Sequence, residues 1–168
     1  GPKDVFVSWL PLYHDMGLIG AWLGSLTFGM PLVIMPPLTF LSRPERWLKA
    51  IHKYKGTISG APNFAYELCA TRIRDADISG IDLSSWRVAF NGAEIVNPST
   101  LNSFSKRFES FGFREESLMP VYGLAENSVG LTFPPLNRGP KIDMISRKLL
   151  QNRGVAKPAL EANGLSTM

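Results

Sequence analysis

The sequence is poor in cysteine and in clustered charge. Cys69 is its single cysteine, which excludes a disulfide framework, and no Cys/His spacing typical of a zinc site occurs. A chain without disulfides suits a reducing compartment, so we expect a cytoplasmic protein. The net charge is +4, and the basic residues are scattered until the tail of the chain. A nucleic-acid partner is therefore not expected, because such proteins cluster Lys and Arg on one face.

Several common signatures of catalytic and phosphate-binding sites are also missing. The chain contains no G-x-x-x-x-G-K-[ST], no G-x-G-x-x-G and no G-x-S-x-G pattern. These absences argue against a P-loop NTPase, a Rossmann dinucleotide enzyme and a serine hydrolase of the α/β type. Cys69 lies in an apolar helical segment without a neighbouring His, so we interpret it as a buried structural thiol.

The chain also lacks a signal peptide, and its first residues run directly into a strand pattern. We interpret it as an excised piece of a longer protein. Residues 16–35 are nearly free of charge and long enough to span a bilayer. Gly29 and Pro31 interrupt this stretch, and His14 and Asp15 stand at its head, so we predict a buried helix, a turn and a strand rather than stable membrane insertion.

Short apolar runs alternate with longer helical patterns along the chain. Strands are predicted over 4–9, 32–35, 56–59, 86–90 and 118–121, with a further one over 129–133. Helices are predicted over 14–28, 42–54 capped by Ser42, 63–73, 98–111 and 143–152 capped by Asp143. This order predicts an α/β fold, a mostly parallel sheet with helices on both faces in a three-layer αβα arrangement.

The apolar density falls after Pro134, where basic residues gather. We therefore divide the chain into a main unit, residues 1–133, and a basic, partly irregular extension, residues 134–168. The basic side chains that gather in this extension include Lys141, Arg147, Lys148, Arg153 and Lys157. A run of this kind is typical of a solvated segment rather than of a binding arm.

Five of the predicted strands are followed by an unusual turn. These turns cover residues 10–15, 36–37, 60–63, 91–94 and 122–127. The carboxyl ends of parallel strands meet at one edge of a sheet, where open α/β sheets bind ligands, so the turns are expected to converge on one crevice. Gly and Pro also follow strands simply to make turns. That reading does not account for Tyr122-Gly-x-x-Glu126 or for the polar pairs His14/Asp15 and Asn91/Glu94.

Four of these segments resemble fatty acyl-AMP ligases, and they occur in the same order. They are WLPLYHDMGLIG at residues 9–20, SGAPNFAYEL at 59–68, NGAEIV at 91–96 and YGLAENS at 122–128. The resemblance covers residues 3 to 133. It places the chain in the adenylate-forming superfamily, with acyl-CoA synthetases, luciferases and peptide-synthetase adenylation domains. It implies an interior fragment of the large N-terminal domain of such an enzyme.

The reaction that the resemblance implies is the activation of a fatty acid by ATP and Mg²⁺. Acyl-adenylate forms, pyrophosphate leaves, and the acyl group passes to an acyl carrier protein. Two alternatives stay open, an acyl-CoA ligase with coenzyme A as the acceptor and a non-catalytic α/β nucleotide-binding module. The superfamily's phosphate loop would lie upstream of Gly1, and its ribose-binding aspartate and catalytic lysine would lie downstream. The isolated chain is therefore expected to be inactive.

The resemblance also implies roles for individual residues. His14 would lie beside the fatty carboxylate and the α-phosphate, and Glu126 would help to hold Mg²⁺. The nucleotide-binding residues would be Asn91, Gly92, Ala93, Glu94, Tyr122, Gly123, Leu124, Ala125, Glu126 and Asn127. The acyl-binding residues would be His14, Gly17, Gly60, Ala61 and Pro62.

The resemblance leaves two further points. Relatives often carry a hydroxyl residue just before or just after the motif glutamate, where this chain has Ala125 and Asn127. A phosphate contact from this loop would therefore come from Asn127 or Ser128. Residues 134–159 fall where acyl-AMP ligases carry an insertion linked to release of acyl-AMP to a carrier protein.

Overall fold

The structure, a computed structural model, describes residues 1–159. Its sheet contains five strands: β1 (Phe6–Ser8), β2 (Leu32–Ile34), β3 (Ile58–Ala61), β4 (Val88–Asn91) and β5 (Leu118–Pro120). Their order across the sheet is β2-β1-β3-β4-β5, and all four neighbouring pairs are parallel. The predicted parallel α/β sheet is confirmed.

Six helices connect or follow the strands. They are α1 (Met16–Leu23, a π-helical stretch that continues as the α-helical Gly24–Phe28), α2 (Pro37–Ser42), α3 (Glu45–Tyr54), α4 (Asn63–Arg72), α5 (Pro98–Phe108) and α6 (Arg147–Arg153). The chain runs outward from β1 to β2, then crosses back over β1 to β3. With right-handed crossovers, this reversal places α1 on one face of the sheet and α2 to α5 on the other. The point at which the winding reverses lies between β1 and β3.

An aromatic core fills the face that α2 to α5 cover. Trp47 of α3 is fully buried at its centre. The indole Nε1–H donates to Ser59 Oγ at 2.8 Å, and the Ser59 hydroxyl donates to the Val7 carbonyl at 2.6 Å. Four rings meet that of Trp47 edge to face, with centroids 5.2 to 6.2 Å away: Trp9, Phe40, Tyr66 and Trp86. The core therefore locks α3 onto β1 and β3.

Cys69 of α4 is buried in this core, as predicted. Burial raises the pKa of the Cys69 thiol well above its usual value, with a smaller contribution from Glu45. A neutral thiol without solvent access is a poor nucleophile.

The helix predicted over 42–54 is present as α3, but it begins at Glu45, and a separate helix, α2, precedes it and ends at Ser42. Arg43 separates them with φ −149° and ψ 84°, and Ser42 ends α2 instead of capping a helix. The reason is Pro44, which disfavours helical backbone at the residue before it and cannot donate a backbone hydrogen bond. The start of α2 at Pro37, a proline in the first turn, was not predicted.

Two further predicted elements differ from the structure. Residues 129–133 form no strand, and only an isolated antiparallel bridge joins Tyr122 to Thr132. In the extension, the helix begins at Arg147 instead of Asp143, because the Ser146 hydroxyl caps it by accepting from the Leu149 N–H. The extension adds no strand to the five-stranded sheet over residues 134–159.

Residues 16–35 fold as a helix, a turn and a strand in the predicted order, but the prediction that they are buried is wrong, because Leu26 is 65% exposed, Phe28 63% and Ile34 48%. Gly29 ends α1 in the left-handed conformation, with φ 62°, and the chain then enters β2. Among the described residues, no helix is long and apolar enough to cross a membrane.

Candidate nucleotide and acyl site

A cavity of about 220 Å³ opens at the carboxyl edge of the sheet, beside the reversal between β1 and β3. Open α/β sheets bind ligands at this position. One part of its wall is apolar, from Phe6, Leu10, Phe90, Val121 and Phe133. Another part is polar or exposes backbone, from His14, Asp15, Gly60, Ala93, Tyr122 and Gly123. Segments that are far apart in the sequence thus form one pocket.

The alternation of side chains along β3 and β4 shapes the floor of the cavity. Gly60 and Phe90 are paired across the two strands and face the cavity. A Cβ at position 60 would lie 2.6 Å from the Phe90 Cβ, so only glycine leaves the floor open. Ala61, the next residue, is fully buried in the aromatic core on the opposite face. Neither Ala61 nor Pro62 belongs to the cavity wall, although the resemblance implied an acyl contact for both.

His14 and Asp15 stand where the chain enters α1. His14 Nδ1 lies 2.8 Å from Asp15 Oδ1, and the imidazole is half exposed. The Met16 N–H donates to Asp15 Oδ1 at 2.7 Å, so Asp15 caps the helix as well. The Met16 N–H also donates to His14 Nδ1 at 3.2 Å, so Nδ1 is engaged within the turn and Nε2 is left for a ligand.

Gly17 has a packing role close to these residues. A Cβ there would collide with the Pro11 carbonyl oxygen, so glycine lets α1 begin tightly against the turn after β1. Gly17 is buried and does not line the cavity, whereas Gly20, one turn later, does.

Residues 91–97, which we call the nucleotide loop, connect β4 to α5. Ala93 lines the cavity and has φ 65°, a left-handed conformation. Gly92 packs against Val121, where a Cβ would approach the carbonyl oxygen to 2.8 Å. The side chains of Asn91 and Glu94 bond to α4: Asn91 Nδ2 donates to Asn63 Oδ1 at 3.3 Å, and Glu94 Oε1 accepts from the Phe64 N–H at 2.6 Å.

Residues 122–132, the Tyr122 loop, close on themselves. Tyr122 and Thr132 join its base by backbone hydrogen bonds of 3.0 and 3.3 Å. The Tyr122 ring is 65 % exposed at the cavity mouth. Gly123 lies against the Val129 carbonyl, too close for any side chain.

A short 3₁₀ turn, Ala125–Asn127, forms the tip of this loop. Glu126 is exposed there, and within residues 1–159 its carboxylate makes no hydrogen bond or ion pair. Leu124, Ala125, Glu126 and Asn127 lie outside the cavity wall.

One free carboxylate fits Mg²⁺ better than a metal that needs a full set of protein ligands. The part of the chain that the structure describes has no group of three or more His, Cys, Asp and Glu side chains able to enclose an ion. Mg²⁺ usually keeps several waters and binds through one or two carboxylates together with substrate phosphates. Glu126 is therefore a suitable partner for a metal that arrives with a nucleotide.

The sequence reasoning missed the aromatic wall and Asn63. Phe90 carried no local signal, because period-two alternation places it on the face opposite its neighbour Asn91, and its pairing with Gly60 is what brings it to the cavity floor. Phe133, whose ring centroid lies 6.2 Å from that of Phe90, carried no signal either, because only the fold brings it there.

Residues 1–157 match a known family, described as AMP-binding enzyme. The chain belongs to the AMP-binding enzyme family. This membership confirms the resemblance that the four motifs indicated.

Two relatives are named as ligases of medium-chain fatty acids. Medium-chain-fatty-acid–[acyl-carrier-protein] ligase TtuA of Teredinibacter turnerae is 44% identical over 164 residues, which cover 98% of this chain and 26% of TtuA. The ligase JamA of Moorena producens, of the same description, is 46% identical over 123 residues, or 73% of this chain and 21% of JamA.

A solved relative in the same family is a fatty acyl-adenylate ligase from L. pneumophila in complex with acyl adenylate and pyrophosphate. It superposes with a TM-score of 0.85 at 46% identity, covering 88% of this chain and 26% of that protein. This chain thus spans about a quarter of the length of these AMP-binding relatives.

Proposed function

We propose that the full-length protein is a ligase that activates a fatty acid with ATP, forming acyl-adenylate and pyrophosphate. The observation that carries this proposal is the single cavity into which His14, Gly60, Ala93 and Tyr122 converge, each from a different motif. Its apolar wall suits an acyl chain, and its polar part suits a carboxylate next to a nucleotide. The acyl-adenylate and pyrophosphate in the L. pneumophila relative support the same reaction.

The chemistry needs positioning more than acid–base catalysis. A fatty carboxylate is already an anion, so no general base is required for its attack on the α-phosphorus of ATP. The difficulty is to bring two anions together and to stabilise the charge that develops at phosphorus. His14, held at Nδ1 by the start of α1, would donate its Nε2–H to the carboxylate or to an α-phosphate oxygen. Tyr122 would cover the adenine, against the backbone around Ala93.

Glu126 would hold Mg²⁺ with its free carboxylate. The ion would supply positive charge next to the phosphates. Asn127 and Ser128, which follow Glu126 in the same turn, would supply the polar groups that Ala125 lacks.

We propose an acyl carrier protein as the acceptor, because TtuA and JamA are named as ligases for that carrier. The test is a pair of assays on the full-length protein. The first measures fatty-acid-dependent exchange of labelled pyrophosphate into ATP. The second supplies acyl carrier protein or coenzyme A and identifies the acylated product by mass spectrometry. Exchange without added fatty acid would contradict the proposed substrate, and transfer to coenzyme A alone would contradict the proposed acceptor.

Glu126→Gln is expected to lower the exchange rate about tenfold, because an amide is a weaker ligand for Mg²⁺ than a carboxylate. The measurement is exchange as a function of Mg²⁺ concentration, where the variant should need more metal. Glu67→Gln is the matched control, since Glu67 is exposed on α4 and lies outside the cavity wall. Unchanged exchange at every Mg²⁺ concentration in Glu126→Gln would contradict the metal-binding role of Glu126, whereas the absence of exchange in the wild type would favour the non-catalytic nucleotide-binding alternative.

Gly20→Leu is expected to shift the preference towards shorter fatty acids. Gly20 lines the cavity, and the nearest atom to an added Cβ is Met16 Cγ at 4.0 Å, so a larger side chain fits and occupies acyl space. The kcat/KM for a long chain should fall about tenfold relative to that for a short chain. Gly24→Leu, in the same helix but outside the cavity wall, serves as the control. Equal losses for both chain lengths would count against an acyl-facing Gly20.

We retain the division into residues 1–133 and an extension, residues 134–168, as a proposal. In support, α6 and the isolated bridge between Ile145 and Pro158 lie outside the main sheet. Residues 140–145 line a second cavity together with the start of α5 and the end of β5. Residues 160–168 of the extension lie outside the described residues.

A further inference from the structure

A buried asparagine that no motif singled out for a role lies at the centre of the nucleotide loop's contacts. Asn63 is the first residue of α4 and is 7 % exposed. Its Oδ1 accepts from the Asn97 N–H at 3.0 Å and from Asn91 Nδ2 at 3.3 Å. A single oxygen atom therefore holds both ends of the loop.

The orientation of the two amides follows from these contacts. The Asn97 N–H can only donate, so the atom that Asn63 presents to it must be Oδ1. Asn91 must then present Nδ2 to the same oxygen. This leaves Asn91 Oδ1 buried with no hydrogen-bond partner among residues 1–159. A buried oxygen without a hydrogen-bond partner costs free energy, so Asn91 does not satisfy all of its own hydrogen-bonding groups. Its orientation is set by the contact with Asn63 and by the geometry of the loop.

A second contact joins the loop to the same turn of α4. Glu94 Oε1 accepts from the N–H of Phe64, one of the first N–H groups of the helix, which lack partners inside it. Ala93 lies between the anchored positions 91 and 94, in a left-handed conformation that is unfavourable for an alanine. The anchors explain how this conformation persists.

We infer that Asn63 is a positioning residue for the nucleotide: it fixes the backbone around Ala93 through Asn91 and Asn97 and does not touch the ligand itself. This inference rests on the proposed function. Without the Asn63 oxygen the loop loses its anchors at both ends, Ala93 relaxes, and the adenine wall is no longer preformed. Affinity for ATP falls as a result, because binding must then order the loop.

The test compares three variants of the full-length protein. Asn63→Leu removes both hydrogen bonds to the loop in a side chain of similar size. Asn63→Asp keeps the acceptor oxygens and places a charge at a helix N-terminus, where it is tolerated. Thr100→Val is the matched control. Thr100 is about as buried as Asn63, and its hydroxyl accepts from Asn63 Nδ2 at 3.3 Å. The variant therefore removes a hydrogen bond of the same side chain that does not reach the nucleotide loop.

Three readouts are taken for each variant: the Kd for ATP by calorimetry, KM and kcat for ATP in the exchange assay, and hydrogen exchange of the amides of residues 92–97. Asn63→Leu is expected to raise the Kd and KM for ATP about tenfold, with kcat within about threefold of wild type. Its loop amides should exchange faster. Asn63→Asp and Thr100→Val should stay within about threefold of wild type in Kd.

Two results would overturn the inference. One is an equal loss of ATP affinity in Asn63→Leu and Thr100→Val, which would indicate a general structural role. The other is faster loop exchange in Asn63→Leu at an unchanged Kd for ATP. If Asn63→Leu does not fold, Asn63→Ala takes its place under the same criteria.

The affinity measurement also separates this inference from the proposed function. If the wild-type protein binds ATP but shows no fatty-acid-dependent exchange, the proposed function is contradicted. The comparison of Kd values for ATP would still decide the role of Asn63. A wild-type protein that binds no ATP would end both.

Discussion

Gly123→Ala is expected to lower fatty-acid-dependent pyrophosphate exchange about a hundredfold in the full-length protein, because displacing catalytic groups by about 1 Å can cost that much. A Cβ at this position would collide with the Val129 carbonyl and lie 3.0 Å from the Gly130 Cα. Both obstacles are backbone atoms, which cannot rotate away as the end of a side chain can. The two limbs of the Tyr122 loop must separate, and Tyr122 and Glu126 move with them.

The measurement is the exchange rate at saturating ATP and fatty acid, taken together with the thermal unfolding midpoint. The midpoint should change little, because the tip of the loop is exposed and contributes little to the core. Gly24→Ala is the control, since a Cβ there would lie 3.4 Å from the Ile19 carbonyl oxygen, an ordinary contact. If Gly123→Ala kept an exchange rate within threefold of wild type, the close contact between Gly123 and Val129 would not be needed for catalysis, and the prediction would be refuted.

Trp47→Ala is expected to reduce the free energy of unfolding by about 4 kcal/mol, in the range for large aromatic side chains removed from a core. The residue is fully buried and meets four aromatic rings edge to face. Such ring pairs add to the burial of apolar area. Its removal would also leave Ser59 Oγ without the indole donor, although the bond from Ser59 to the Val7 carbonyl would remain.

Urea titration of the chain measures this loss, followed by intrinsic fluorescence and by circular dichroism so that two-state behaviour can be checked. Trp22→Ala is the matched control, because Trp22 of α1 is 41 % exposed and should cost less than about 1 kcal/mol. Comparable losses in the two variants would show that the aromatic core does not centre on Trp47.

The sequence was informative about topology because its signals are local. The alternation of apolar runs and helical patterns reports directly on strands and helices, and a parallel sheet then places all the carboxyl ends at one edge. This reasoning brought His14, Gly60 and Tyr122 to one crevice, and the structure places all three in one cavity wall. Local signals were weaker at element ends, where Pro44 instead of Ser42 precedes α3 and Ser146 instead of Asp143 caps α6.

Side-chain direction depends on neighbours that are distant in the chain. Asn91 and Glu94 occur in a motif that points to a nucleotide, yet their side chains reach 28 and 30 residues back to Asn63 and Phe64. Gly17 likewise serves the approach of α1 to Pro11 and does not widen the cavity.

By itself, the amino-acid sequence determined the α/β class, the parallel sheet, the family and the edge at which the motifs meet, since each depends on periodicity or on the order of short segments. Only the tertiary structure decided which side chains enter the cavity and which hold its loops. Adjacent residues of a strand face opposite sides of the sheet, and the groups that anchor a loop come from another element, so no local pattern encodes that division of roles.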